Sequence, residues 1–198
     1  MKLNAANLED AFTLLANHLE RNNAPKTALV ICGGASLLAA KVVTRATKDV
    51  DIVAFRSESG QILAPVPMPD YLLAAAAAVA RDLGLDAQWL NNGPSSDEGG
   101  LFQMGLPAGF ADRLTGRVYG SRLSVYFISR TDQICFKVFS ATDRGGVDIA
   151  DLQALKPTEA EMETAARWAM TIDVSPEFRT LLQELLKTLG YESVANRI

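Results

Sequence analysis

The sequence predicts an α+β fold, a mixed β-sheet flanked by helices and followed by a helical C-terminal region. Three observations carry this. The first third alternates helix, strand, helix and strand, with an apolar β-branched run at Thr27–Cys32 and another at Val50–Phe55. Two further strand-like runs, Leu114–Tyr119 and Arg122–Ile128, are separated by Gly120-Ser121, a two-residue hairpin signal. After Asp132 the apolar residues recur at helical spacing to the end of the chain. We expect residues 1–130 to form the α/β core and 131–198 a helical region packed on it as one structural unit.

Taken in order, Asn7–Arg21 is amphipathic, with Leu8, Phe12, Leu15 and Leu19 on one face and Asn7 as the expected cap. Thr27–Cys32 reads as a buried strand, Ala35–Val42 as a short helix and Val50–Phe55 as the second strand. Ser57–Pro69 holds a glycine and three prolines and reads as a loop or edge excursion. Asp70 starts a helix through Leu83 that Gly84 stops. Ala87–Leu90 is a short strand, and Asn91–Gly100, rich in Asn, Gly, Ser and Pro, a mobile loop. Beyond the hairpin come helices at Asp132–Ala141, Val147–Leu155, Thr158–Met170 and Pro176–Leu189, the last with proline at its first position and Gly190 at its end.

The bulk numbers exclude several function classes. The chain has 198 residues and a formal net charge of −4, which argues against broad electrostatic binding to DNA. No apolar run is long enough to span a bilayer, since Arg81 and Asp82 end the alanine-rich stretch. The start, Met1-Lys2-Leu3-Asn4, lacks an apolar signal region. Cys32 and Cys135 lie in apolar contexts and read as buried thiols of a cytoplasmic protein, not a disulfide framework.

The chemistry-bearing stretch is Cys32-Gly33-Gly34-Ala35-Ser36, followed by Arg45-Ala46-Thr47-Lys48-Asp49-Val50-Asp51. A glycine pair at a strand-to-helix turn allows close approach of a ligand to backbone, and N–H groups at the start of a helix favour an anion. It is also a plain tight turn. It lacks the Lys-Ser/Thr of a P-loop and the third glycine of a dinucleotide fingerprint. Asp49 and Asp51 share one face of a strand, so two like charges meet beside the turn. Either a divalent cation relieves that repulsion or both carboxylates sit at the solvent end of the strand.

The pattern Gly-Gly-Ala-Ser, a short helix, then Arg45-x-Thr47-x-Asp49-Val50-Asp51 resembles the nucleotidyltransferase superfamily related to DNA polymerase β. Leu83–Asn91 and the stretch Cys135-Phe136-Lys137-Val138-Phe139-Ser140-Ala141, continuing to Arg144 and Asp148-Ile149-Ala150-Asp151-Leu152, extend the likeness. The set resembles uncharacterised bacterial nucleotidyltransferase-like proteins and AbiE-type toxin nucleotidyltransferases of toxin–antitoxin systems. It runs from about Leu29 to Leu155 and implies a nucleotidyltransferase-like sheet.

What the resemblance implies is transfer of a nucleoside monophosphate from an NTP, with release of pyrophosphate, to an RNA or protein hydroxyl. Gly33, Gly34, Ser36 and Arg45 are implied in nucleotide binding, Asp49 and Asp51 as catalytic ligands of Mg²⁺ or Mn²⁺, and Lys137 in neutralising phosphate. Asp148 is implied as catalytic, orienting the acceptor or bracing the site together with Asp151. An antitoxin-like partner is implied too. For Lys137 the alternative is an amphipathic lysine with its ammonium in water. For Asp148 it is a first-turn helix acid, and Arg45 and Arg144 pair with these acids or contact phosphate. Trp89 reads as packing rather than a stacking platform, and His18, the single histidine, as outside the chemistry.

One departure stands out. The superfamily usually places a third carboxylate on a later strand facing the first two. The strand expected in that place, Arg122–Ser129, carries Ser124 and Tyr126 there, and neither suits a hard cation or a general base. Asp86 and Asp132 are the substitutes within the sequence. Without the acid, the chain reads as a degenerate relative acting as a binding or toxin–antitoxin component. A third reading leaves the glycine turn structural and puts function on the Asn91–Gly100 loop.

Overall fold

A computed structural model describes residues 1–96 and 99–198. The chain divides into two compact units, Met1–Ile128 and Ser129–Ile198, each described by itself.

The first unit opens with helix α1, Ala5–Arg21. Its cap is Asn4 rather than Asn7. The Asn4 side chain accepts from the Ala6 and Asn7 amides, and the Asn7 side chain accepts from the Asn4 amide in return. The reciprocal pair starts the helix two residues before the expected position. Leu8, Phe12, Leu15 and Leu19 are buried, as their spacing requires. Strand β1, Thr27–Cys32, runs directly into helix α2, Gly33–Ala39. Strand β2 follows at Val50–Arg56, the short edge strand β3 at Ile62–Leu63 and helix α3 at Asp70–Leu83. Gly84 ends α3 in the left-handed conformation, φ +63°.

Strand β4 is Leu90–Asn91, one 3₁₀ turn covers Gly93–Ser95 and helix α4 covers Leu101–Met104. The expected mobile loop therefore begins with ordered structure, and its residues 97 and 98 lie outside the described residues. The hairpin is present as β5, Thr115–Tyr119, and β6, Leu123–Phe127.

The strands form one mixed sheet in the order β3-β2-β1-β6-β5, with β4 also pairing β2. β1 is antiparallel to β2 and parallel to β6. β3 pairs β2 at Phe55 and Arg56, and β4 pairs it in parallel at Val50 and Asp51. One face packs on α1 and α3 through Leu29, Ile31, Val50 and Ile52. A bulge interrupts β2. Val30 pairs with Ala54 and Ile31 with Ile52, leaving Val53 as the extra residue. The Val53 carbonyl accepts a 3.0 Å hydrogen bond from the fully buried Ser95 hydroxyl, which supplies the partner that a buried carbonyl requires.

The second unit holds α5, Arg130–Arg144; α6, Val147–Leu155; α7, Glu159–Ile172; α8, Pro176–Thr188; and α9, Glu192–Ala195. α5 starts earlier than expected because Ser129 is its cap. Trp168 packs between Phe136 and Phe139, and Phe139 in turn meets Phe178, in tilted or edge-on pairs with ring centroids 5.6–6.2 Å apart.

Thr158 and Glu161 cap α7 reciprocally, and Glu161 also binds Arg130 at 2.7 Å. The Arg130 hydrogen bond and the Thr158 amide hold the Glu161 carboxyl down at about 2, against an ordinary 4.5. A depressed carboxyl contributes stability above its unfolded pKa and loses it as pH falls through the folded one. Thermal melts of wild type and Glu161→Gln should differ at neutral pH, and the difference should shrink between pH 4.5 and 2. A constant offset across that window would show that the charge of Glu161 does not stabilise α7. Among the described residues, no helix is long and apolar enough to cross a membrane.

Candidate functional site

Where β1 meets α2, the backbone turns through Gly33 at φ +66°. The register pairs Cys32 with Asp51, which sets the Asp51 carboxylate against the turn. A methyl group added at Gly33 would lie 2.7 Å from Asp51 Oδ2. At Gly34 it would lie 2.8 Å from Thr47 Oγ1 and 3.7 Å from an Arg45 guanidinium nitrogen. Both glycines are therefore fixed by close approach, and Gly33 by its conformation as well. Val50 between the two acids points into the core, whereas Asp49 and Asp51 are half-buried on the other face. Gly33, Gly34, Arg45, Asp49 and Asp51 thus converge. Ser36 does not join them: the helix begins at Gly33 rather than Ala35, which carries Ser36 a turn inward, where it is 2% exposed.

Two long-range anchors hold the acid pair. Leu3 and Thr47 exchange backbone hydrogen bonds of 2.8 Å in both directions, and Leu3 is fully buried. The Thr47 hydroxyl then lies 3.4 Å from Asp49 Oδ1. On the other side, the Val50 amide donates to the Trp89 carbonyl at 2.6 Å. Trp89 is fully buried and donates its indole N–H to Ala76 on α3, so it packs β4 and offers no face to a base. Thr47 was visible inside the Arg45-x-Thr47-x-Asp49 pattern. Leu3 carried no local signal, because its role is a pairing with a distant segment.

The strand that pairs β2 at Asp51 is the short β4. β4 pairs Asp51 with Asn91. β6, the strand expected to face the acids, lies on the far side of β1, with Tyr126 opposite Val30. Ser124 and Tyr126 thus lie on a strand that does not pair β2. The residue paired with Asp51 on β4 is Asn91, whose Oδ1 accepts from the Gly93 amide at 2.8 Å. Asp86 is turned onto the Gln88 amide, and Asp132 bonds Ser129 in the second unit. Among the described residues, no group of three or more His, Cys, Asp or Glu side chains could hold a metal ion.

In the second unit, Lys137 Nζ lies 2.6 Å from Asp148 Oδ1 and 2.8 Å from Asp151 Oδ2. The three side chains are 9%, 8% and 1% exposed. Lys137 does not hold its ammonium in water. Burial pushes its pKa down, but the hydrogen bonds it donates to Asp148 and Asp151 outweigh that, and the net shift is upward. Arg144, mostly in water, reaches Asp148 Oδ2 at 3.5 Å. His18 pairs with Asp82 at 2.9 Å. Cys32 and Cys135 are buried.

A mixed sheet with an acid pair beside a strand-to-helix glycine turn defines a nucleotidyltransferase-like α+β protein. Residues 6–171 match the family described as Nucleotidyltransferase of unknown function (DUF6036). The match covers most of the chain, and the chain belongs to that family. No curated protein and no solved structure matched it.

Proposed function

We propose that the first unit binds an NTP together with Mg²⁺ or Mn²⁺ at the Gly33–Gly34 turn and transfers its nucleoside monophosphate to an RNA or protein hydroxyl in the cytoplasm. The observation that carries this reading is the contact of the Asp51 carboxylate with Gly33, with Asp49 on the same face. The donor set suits a hard cation, because Mg²⁺ is usually held by one or two carboxylates completed by water and substrate phosphates rather than by a full protein cage. Asp49 and Asp51 would hold the ion, which would supply neutralisation of charge on phosphate oxygens. The glycine turn lets backbone amides approach the phosphates without a Cβ in the way. Arg45, beside Gly34, adds positive charge there, and Thr47 steadies Asp49. Lys137, Asp148 and Asp151 brace the second unit as a neutralised buried group.

Calorimetry with ATP and Mg²⁺, and transfer of label from α-labelled NTP, test the reading against an Asp49→Asn/Asp51→Asn variant. Metal-dependent binding should fall at least tenfold and transfer should cease. Equal binding and turnover in the two proteins would sink it. A second reading is favoured by Asn91 opposite Asp51: a nucleotide-binding component without transfer, working with an antitoxin-like partner. Tight metal-dependent NTP binding with no transfer to any RNA or protein acceptor is its signature.

A further inference from the structure

One cavity of the first unit is used by nothing above. It encloses about 630 Å³, within the range of small-molecule sites. It opens where β1 begins and β2 ends, and Lys26, Thr27, Arg56, Tyr71, Arg122 and Tyr126 are among its walls. The acid pair lies at the other end of these strands. From Ala28 to Cys32 along β1 is about 13 Å, so the cavity is separate from the glycine turn.

The strand register puts Ala28, Val118, Ser124, Tyr126 and Arg56 on one face of the sheet, opposite the packed core, and these residues line the cavity together with Lys26 and Glu58. Arg56 is held in place: its guanidinium carbon lies 4.8 Å from the Tyr126 ring centroid, and Nη1 donates to the Tyr126 hydroxyl at 3.1 Å. Its Nε is buried with no hydrogen-bond partner, a state that native structures rarely leave without an acceptor. Lys26 meets Glu58 at 3.7 Å with both side chains mostly in water, a weak pair that a stronger anion displaces. Arg122 is engaged by the Ala24 carbonyl and the Asn23 side chain and serves as wall. Glu20, next to the Arg122 wall, is turned onto the Ser121 amide and hydroxyl. Two cations beside the apolar surface of Ala28, Val118 and the Tyr126 ring complement a dianion on an apolar body better than a single carboxylate. A phosphate monoester carries about −1.5 to −2 charges at pH 7.

We propose that this cavity binds a phosphate monoester, with its phosphate toward Lys26 and Arg56 and an apolar or planar body over Ala28, Val118 and Tyr126. Calorimetry on the full chain with AMP, adenosine and inorganic phosphate, in the absence of divalent metal, tests it. AMP should bind one-to-one, with the same affinity in wild type and in the Asp49→Asn/Asp51→Asn variant. Adenosine and inorganic phosphate should each bind at least tenfold more weakly. Arg56→Gln should weaken AMP about tenfold, which corresponds to about 1.4 kcal/mol, and Lys26→Gln severalfold. Lys26 is mostly in water, so its variant remains informative even where Arg56→Gln fails to fold. Loss of AMP binding in the acid-pair variant, unchanged binding in Lys26→Gln, phosphate binding equal to AMP, or no AMP binding at millimolar concentration would each overturn the proposal. Because the metal is absent and the acid-pair variant is included, failure here leaves the reading of the Gly33–Asp51 site standing.

Discussion

The Lys137→Met variant should lose about 3–5 kcal/mol of unfolding free energy, the usual cost of removing one partner from a buried ion pair. Lys137 is the buried cation between Asp148 and Asp151, and Asp151 is 1% exposed. Without Lys137 two carboxylates stay buried without the ammonium they share, and the contact of Arg144, mostly in water, with Asp148 is a surface-type one of less than about 1 kcal/mol. The interaction is complete at neutral pH. A lysine pKa raised by its partners keeps its stabilisation below the ordinary lysine range and loses it only as pH climbs through the raised value. Urea unfolding checks the loss. The companion triple variant Lys137→Met/Asp148→Leu/Asp151→Leu should recover most of it, since a well-packed apolar replacement of a buried ionic group is often neutral. A Lys137→Met protein as stable as wild type would show that the carboxylates find water or another cation on their own.

Gly33→Ala should destabilise the chain by about 1–3 kcal/mol through its left-handed backbone and, beyond that, remove metal-dependent nucleotide binding. The added methyl would stand 2.7 Å from Asp51 Oδ2, so the carboxylate must swing off the turn. Gly84→Ala separates the two effects. Gly84 has a similar φ of +63°, yet a methyl there meets nothing within 4 Å. It should cost comparable backbone strain and leave nucleotide binding intact. Calorimetry with ATP and Mg²⁺ on both variants reads the difference. If Gly84→Ala and Gly33→Ala lose binding alike, strain rather than the carboxylate contact explains the loss.

The elements that local pattern determines were legible. Thr27–Cys32 and Val147–Leu155 have the bounds that their apolar runs and flanking turns mark, and Gly84 stops α3 in the conformation that only glycine adopts freely. Helix α1 began early because two asparagines compete for the cap, and reciprocal bonding resolves that competition in favour of the first. The strand beside the acids was misplaced for a different reason. The hairpin at Thr115–Phe127 carries a long alternating signal, whereas β4 is two residues and has no period to read. Its place beside Asp51 is set by Trp89 anchoring it to α3, a tertiary fact. Lys137 was ambiguous on helix spacing alone. Asp148 and Asp151 share a face at i and i+3, but that this face meets Lys137 depends on how α6 folds back on α5 after Gly145 and Gly146.

The Leu3–Thr47 pairing has a bearing on how the acid pair comes to exist at all. The two partners are far apart in the chain, and β4 reaches Val50 from another distant segment. Closing such loops costs entropy before any contact rewards it, so the geometry around Asp49 and Asp51 belongs to the completed unit and not to its early hairpins or helices. Anything that loosens the first residues from Thr47 therefore acts on the acids at a distance. The N-terminal residues are, in effect, part of the site's frame, although none of them touches its chemistry.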